Sequence, residues 1–124
     1  MRRRYLRELY LERINYIKNL MPHCCIGVDV ITGFPGESTD DFLETYYFLN
    51  ELDISYLHVF TYSERADTLA VTMENSVPQK IREERTQQLR NLSEKKKRYF
   101  YEQFVGTQRP VLFEEETDGE FMYG

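Results

Sequence analysis

Between Ile26 and Tyr62 a β-branched run, a Gly-Phe-Pro-Gly turn, a helical pattern and a second apolar run follow one another, which leaves little choice of fold. Ile26-Gly-Val-Asp-Val-Ile-Thr32 is short and mostly apolar on both faces, as a buried parallel strand requires. Gly33-Phe-Pro-Gly-Glu37 is a turn by composition. Ser38 or Thr39 can cap the helix that follows, with Ser38 and Asp41 at capping-box spacing and Asp40 and Asp41 suited to a helix N-terminus. Phe42, Tyr46 and Leu49 mark its buried side. Ile54 to Tyr62 is the next strand, whose apolar character comes from Leu57, Val59 and Phe60. Strand, helix and strand at this spacing make a βαβ unit, hence a parallel pair joined by a crossover. The fold class is α/β.

The flanks extend this unit. Residues 5–21 read as a helix, with Leu6, Tyr10, Ile14, Ile17 and Met21 at helical spacing and Pro22 ending it. Pro78 can open a long helix to about Val105, with Ile81, Leu89, Leu92, Phe100 and Phe104 inward and Gly106 stopping it. Val111 to Glu115 reads as a strand, and Asp118-Gly119 as a hairpin turn returning Phe121-Met-Tyr123 beside it. Three helices on two core strands leave an open parallel sheet with poorly covered edges. Such a chain is expected to be part of a larger protein and, alone, to self-associate through an exposed sheet edge or an exchanged tail.

Composition narrows the class. A chain of 124 residues suits one ordinary domain of roughly 100–200 residues. Its 41% apolar content, with ten Tyr and eight Phe, can supply a core, so most of it should be ordered. No apolar run approaches the ~20 residues of a membrane span, and no apolar segment follows the Arg-rich start, so neither a membrane helix nor a signal peptide is expected. Cys24 and Cys25 are adjacent, which is neither a C-x-x-C pair nor a metal-ligand spacing, and a reduced cytoplasmic setting fits them. The net charge of −5 conceals segregation: residues 1–20 and 78–105 are basic, and residues 29–75 carry ten acids against the single Arg65. The basic blocks read first as solvated helix faces and second as an RNA-facing surface.

Chemistry concentrates at the strand-to-helix turn, residues 29–41. Ligands of parallel α/β sheets bind beyond the carboxyl ends of the strands. Gly33 and Gly36 permit close backbone approach, Pro35 stiffens the loop, and the N–H groups opening the helix favour an anionic or polar group. A tight turn needing glycine for geometry alone accounts for the composition equally well. The loop lacks the lysine of a phosphate-binding loop and is not a dinucleotide fingerprint. Asp29 either contacts a substrate or cofactor or is a buried carboxylate paired with an arginine. Thr61-Tyr-Ser-Glu-Arg65 brings polar residues to the same rim, or is an ordinary surface loop. His23 and His58 are isolated and read as structural. No Ser-His-Asp set, metal motif or paired catalytic carboxylates stand out.

Five strings occur in order over nearly the whole chain: Met1-Arg-Arg-Arg-Tyr5; Asp29-Val-Ile-Thr-Gly-Phe-Pro-Gly-Glu37; Phe60-Thr-Tyr-Ser-Glu-Arg-Ala-Asp-Thr68; Val77-Pro78 with Glu84-Arg85 and Leu89; and Val105-Gly106 with Val111-Leu-Phe-Glu114. Together they resemble the radical-SAM methylthiotransferase family. There they correspond to the M-x-R-x-Y element after the fourth barrel strand, the fifth strand and its loop, the sixth strand, the helix after it, and the start of the TRAM domain, a small β-barrel that binds tRNA. Ser38 replaces the usual Thr, and Ala66-Asp67 stands where Pro-Gly or a similar pair is common. The wording from Tyr62 to Thr68 is most similar to the MtaB-type branch, which modifies threonylcarbamoyladenosine, then to the isopentenyladenosine branch, then to the ribosomal-protein branch.

The resemblance implies that residues 1–105 are the C-terminal portion of a radical-SAM partial (β/α) TIM-type barrel and residues 106–124 the start of a TRAM β-barrel. It implies S-adenosylmethionine and two 4Fe-4S clusters in the full-length enzyme, tRNA as its partner and the cytoplasm as its place. One cluster, held by C-x-x-x-C-x-x-C, generates the 5′-deoxyadenosyl radical; the other supplies or activates sulfur. None of those cysteines is in this chain, so the chain alone is expected to bind no cofactor or metal, to hold no catalytic residue and to be inactive. By motif position the cofactor-binding residues are Arg3, Asp29, Ile31, Gly33, Pro35, Gly36, Glu37, Val59 and Phe60. Two other readings are a non-catalytic RNA-binding or interaction module using the basic helix 78–105, and a small α/β nucleotide binder. The first does not need a glycine-loop βα core, and the second lacks its lysine.

Overall fold

A computed structural model describes residues 7–66, 76–115, 117–119 and 121–122. The elements in order are α1 (Arg7–Leu20), β1 (Gly27–Thr32), α2 (Thr39–Glu51), β2 (Tyr56–Thr61), α3 (Gln79–Glu102), β3 (Thr117–Asp118) and β4 (Phe121–Met122). β1 and β2 pair in parallel from Gly27 opposite Tyr56 to Thr32 opposite Thr61, with α2 as the crossover. The core gathers Ile14 of α1, Val28, Leu57, Phe42 and Leu49 of α2, and Leu89 and Leu92 of α3.

Burial alternates along both strands, as the two-residue period of a strand dictates. Val28, Val30 and Thr32 of β1, with Leu57, Val59 and Thr61 of β2, face the helices and are buried or half-buried. Asp29, Ile31, His58 and Phe60 are exposed on the opposite face, which nothing covers among the described residues. The expectation that this strand is buried on both faces is therefore corrected: helices cover one side only. Asp29 is an exposed carboxylate and bears no burial cost.

α2 starts where the capping box places it. The Ser38 Oγ accepts the Asp41 N–H at 3.1 Å, and the Ser38 N–H donates to Asp41 Oδ2 at 3.1 Å. Its far end is closed from α3, where Lys96 Nζ donates to the carbonyls of Asn50 at 3.0 Å and Leu52 at 2.9 Å. In α1, Ile14 is buried and Tyr10 and Ile17 half-buried. Met21 is exposed, contrary to its expected inward position, because the helix has ended at Leu20 ahead of Pro22. Leu6 lies outside the described residues.

The inner face of α3 also departs from the expected one. Leu89 and Leu92 are buried, and Phe100 and Phe104 half-buried and edge-on at 5.0 Å, but Ile81 is exposed. The buried stripe instead runs Arg82, Arg85, Thr86, Leu89, Leu92 and Ser93, the spacing of three and four that defines one helix face. Ile81 is one position off it. The stripe is polar where it meets strand ends and loops, because their backbone groups need partners. Ser93 Oγ accepts the Leu57 N–H and donates to the Leu57 carbonyl, both at 2.9 Å. Strand backbone groups alternate between neighbours, and those of Ile26 and Thr32 that pair with β2 meet Ser55 and Tyr62, so Leu57 points away from β1. The outer edge of β2 is thus satisfied there by α3, a better-covered edge than the sequence suggests.

Beyond α3, Gly106 takes φ +79° and the Thr107 N–H returns to the Phe104 carbonyl at 3.1 Å. Val111 to Glu115 is not a strand: Val111, Leu112 and Phe113 are exposed, Leu112 at 88%. A strand needs a ladder partner, and none lies beside this segment among the described residues. The turn at Asp118-Gly119 does form, with Gly119 at φ +63° joining β3 to β4. Tyr123 lies outside the described residues.

Candidate functional site

The parallel register brings the carboxyl ends of β1 and β2 side by side, Thr32 opposite Thr61, so the loops after both strands leave from one rim. In the first loop the Glu37 N–H donates to the Phe34 carbonyl at 3.0 Å, closing a turn with Pro35 second and Gly36, at φ +89°, third. That is the residue choice of a type II turn. Pro35 is buried and Gly36 exposed, with nothing within 4 Å of where a Cβ would stand. Gly33, at φ +79°, is buried, and a Cβ there would collide with the Arg82 side chain.

Three residues from the opening turns of α3 hold this rim. Arg85, 6% exposed, donates from one guanidinium nitrogen to Glu37 Oε1 at 2.8 Å and to the Glu37 carbonyl at 2.9 Å. The same Oε1 accepts the Gly33 N–H at 3.0 Å, so Glu37 folds back across its own loop. The Arg85 guanidinium also lies over the Phe42 ring, 5.5 Å from its centroid. Arg82, equally buried, donates to the Val77 carbonyl at 2.6 Å, Ser76 Oγ at 2.9 Å, Glu64 Oε1 at 3.1 Å and the Tyr62 carbonyl at 3.3 Å. Buried guanidinium groups require such satisfaction. Thr86 Oγ1 stands 2.7 Å from Thr32 Oγ1 and 2.8 Å from Thr61 Oγ1, joining the two strand ends. The Tyr62 ring packs edge-on against Phe34 at 5.4 Å, and its buried hydroxyl has no hydrogen-bond partner among the described residues.

Most residues singled out from the sequence lie close together. Gly33, Pro35, Gly36 and Glu37 share the loop. Asp29 and Ile31 lie on the bare sheet face with Phe60, since the register sets Ile31 against Phe60 and Asp29 against His58. Val59 is not with them: strand alternation puts it on the helix-packed side, against the core. Arg3 lies outside the described residues. Sequence reasoning did not single out Arg82 and Thr86, and took Arg85 only as part of a string. Their signal was the stripe spacing with Leu89, concealed because arginine on a basic helix reads as surface. Of the eight basic residues in 78–105, Arg82 and Arg85 are buried and Lys96 is committed to α2, which reduces the helix as a nucleic-acid surface.

Among the described residues two titrations are shifted. The Ser38 backbone and side-chain hydrogen bonds hold the Asp41 carboxyl below its ordinary value. Burial lowers the Lys96 ammonium, opposed by the nearby Asp53 charge. Cys24 Sγ contacts the Cys25 carbonyl at 3.9 Å, and both precede β1, at the end remote from the rim. Among the described residues no three His, Cys, Asp or Glu side chains are placed to hold a metal ion, and no helix is long and apolar enough to cross a membrane.

No family model matches the chain. Curated relatives do. The threonylcarbamoyladenosine tRNA methylthiotransferase MtaB of Aquifex aeolicus (strain VF5) is 45% identical over 116 residues, covering 94% of this chain and 28% of that protein. The protein of the same name from Bacillus subtilis (strain 168) is 38% identical over 126 residues, covering 99% and 28%. The tRNA-2-methylthio-N(6)-dimethylallyladenosine synthase of Pelotomaculum thermopropionicum is 37% identical over 126 residues, covering 100% and 28%. The chain thus spans little more than a quarter of the length of these relatives.

Proposed function

Over the stretch it shares with these relatives the chain belongs to the tRNA methylthiotransferase family of MtaB and MiaB type, and from that premise we propose that it is part of a radical-SAM enzyme that adds a methylthio group to a modified adenosine beside the tRNA anticodon. Threonylcarbamoyladenosine is the favoured nucleoside, supported by the names of the relatives at 45% and 38% identity. Isopentenyladenosine comes second and a ribosomal-protein aspartate third. Residues 1–105 belong in this reading to the barrel and 106–124 to the TRAM domain. tRNA is the partner of the whole protein, the cytoplasm its place, and the chain alone is inactive.

The observation that carries the reading is a bare sheet face running into a two-glycine loop braced from behind. Asp29, Ile31 and Phe60 present a carboxylate and two apolar surfaces on the side the helices leave open. In a barrel of parallel strands that side is the interior, and the loop side its ligand mouth. The residues fit S-adenosylmethionine: Ile31 and Phe60 offer apolar surface to a flat ring, Asp29 can accept from an amine or hydroxyl, and the open space at Gly36 admits a ligand to the backbone. Gly33, Pro35 and Glu37 shape that approach, Val59 supports the strand from the core side, and Arg3 is assigned by its motif. When bound with a reducing cluster, one S-adenosylmethionine would supply the radical that takes hydrogen from the adenine carbon, and another S-adenosylmethionine would supply the methyl group. The described residues do not fit an iron-sulfur cluster, for Cys24 and Cys25 stand at the wrong end of β1, so no step is assigned to them.

The test uses the full-length protein, reconstituted anaerobically and given S-adenosylmethionine, reductant and tRNA bearing threonylcarbamoyladenosine. Mass spectrometry of the digested nucleosides should show the 2-methylthio derivative. Product on isopentenyladenosine alone would transfer the protein to the other branch, and no product on either would remove the reading.

A further inference from the structure

Arg85 and Glu37 form an ion pair at 2.8 Å with side chains 7% and 16% exposed. For stability alone such a pair is a poor choice, because desolvating two charges offsets much of their attraction and an apolar pair serves as well. What the pair supplies is geometry. One Arg85 nitrogen grips both the side chain and the carbonyl of Glu37, and the gripped carboxylate oxygen in turn holds the Gly33 N–H. With the Phe34–Glu37 turn bond, the loop is closed at both ends and anchored to a helix. Three residues earlier, Arg82 anchors the other rim loop through the Tyr62 carbonyl and Glu64. Both loops therefore take their position from one turn of α3.

We infer that Arg85 is a positioning residue: acting through Glu37, it fixes the Gly33–Gly36 backbone in the conformation that receives the ligand. Being buried, it does not touch that ligand. The inference rests on the reading of this loop as part of an S-adenosylmethionine pocket, and its test separates the two. In the full-length protein, Arg85→Met removes the donors and Arg85→Lys restores the charge without the planar, rigid fork that fixes the direction of the contacts. Leu92→Ala, in the core away from the rim, serves as the control for lost stability.

Arg85→Met should raise the KM for S-adenosylmethionine, and the Kd for S-adenosylhomocysteine, about tenfold, the equivalent of ~1.4 kcal/mol, with kcat little changed. Arg85→Lys should recover part of that loss, and Leu92→Ala should lower the melting temperature without moving KM. Hydrogen exchange of the peptide spanning Gly33 to Glu37 should quicken in Arg85→Met and not in Leu92→Ala. Unchanged exchange there would overturn the positioning role whatever the ligand. Quickened exchange with unaltered ligand binding would sustain the clamp and remove the pocket assignment. If Arg85→Met does not fold, Arg85→Lys against the native protein carries both readouts, and no change in either overturns the inference.

Discussion

Ser93 both accepts the Leu57 N–H and donates to the Leu57 carbonyl, each at 2.9 Å, so one hydroxyl does what a neighbour strand would do at an edge where none stands among the described residues. Ser93→Ala strands two buried backbone groups. The expected cost is about 2–4 kcal/mol, one desolvation penalty of about 1–3 kcal/mol for each group less what water recovers. Urea denaturation should show a lower midpoint with an unchanged slope. A loss below ~0.5 kcal/mol would mean that the edge is solvated.

Gly33 and Gly36 both have positive φ, yet they should respond differently to alanine. Both changes incur the backbone penalty of about 1–2 kcal/mol. Gly33→Ala adds a collision with the Arg82 side chain, whereas the space around Gly36 is empty. Thermal melts should rank Gly33→Ala clearly below Gly36→Ala. Equal losses would show that Arg82 yields freely.

Asp41 gives a pH dependence. Its carboxyl is held below the ordinary value of 3.8 by hydrogen bonds from Ser38, so the folded state binds its proton less tightly than the unfolded chain. The associated stability is present above that value and is lost as pH falls through the lower folded one. Melting temperatures from about pH 5 downwards should fall more steeply for the native chain than for Asp41→Asn. Parallel curves would show that the capping box does not discriminate protonation states.

Cys24 and Cys25 precede β1, far from the rim, and the isolated chain should take up no iron-sulfur cluster. Anaerobic incubation with iron and sulfide, followed by desalting and a visible spectrum, checks this. Stoichiometric absorbance that disappears in the double Cys→Ser variant would give these cysteines a role denied to them here.

The two sheet edges are unequal. α3 serves the outer edge of β2 at Leu57, while the outward backbone groups of Gly27, Asp29 and Ile31 meet no partner strand among the described residues. The chain alone should dimerise at micromolar concentration through β1. Asp29→Pro, which removes an outward N–H without touching the β2 ladder, should return a monomer in sedimentation. A native chain already monomeric would refute edge pairing.

The βαβ order was legible because β-branched runs, a Pro-Gly turn and a capping box all agreed on it between Ile26 and Tyr62. Ser38 and Asp41 cap α2 as their spacing required. Two things were not legible. Which face of a strand is covered depends on partners, so Asp29 and Ile31 appeared buried when they are open, and Val59 was grouped with Phe60 from which alternation parts it. The polar stripe of α3 was also hidden. Helical periodicity was sought in apolar residues, while Arg82, Arg85, Thr86 and Ser93 face inward because strand ends and loops need hydrogen-bond partners. The Val111 to Glu115 segment shows the converse, β-forming residues without a ladder to join.

The Ser93 contact also has a bearing on how the chain is made. Thirty-six residues separate Leu57 from the hydroxyl that completes its hydrogen bonding. At the roughly 5–20 residues per second of synthesis, that interval is about 2–7 s. For that time the parallel pair emerges from the ribosome with its β2 edge incomplete, and folding of this unit must await the arrival of α3.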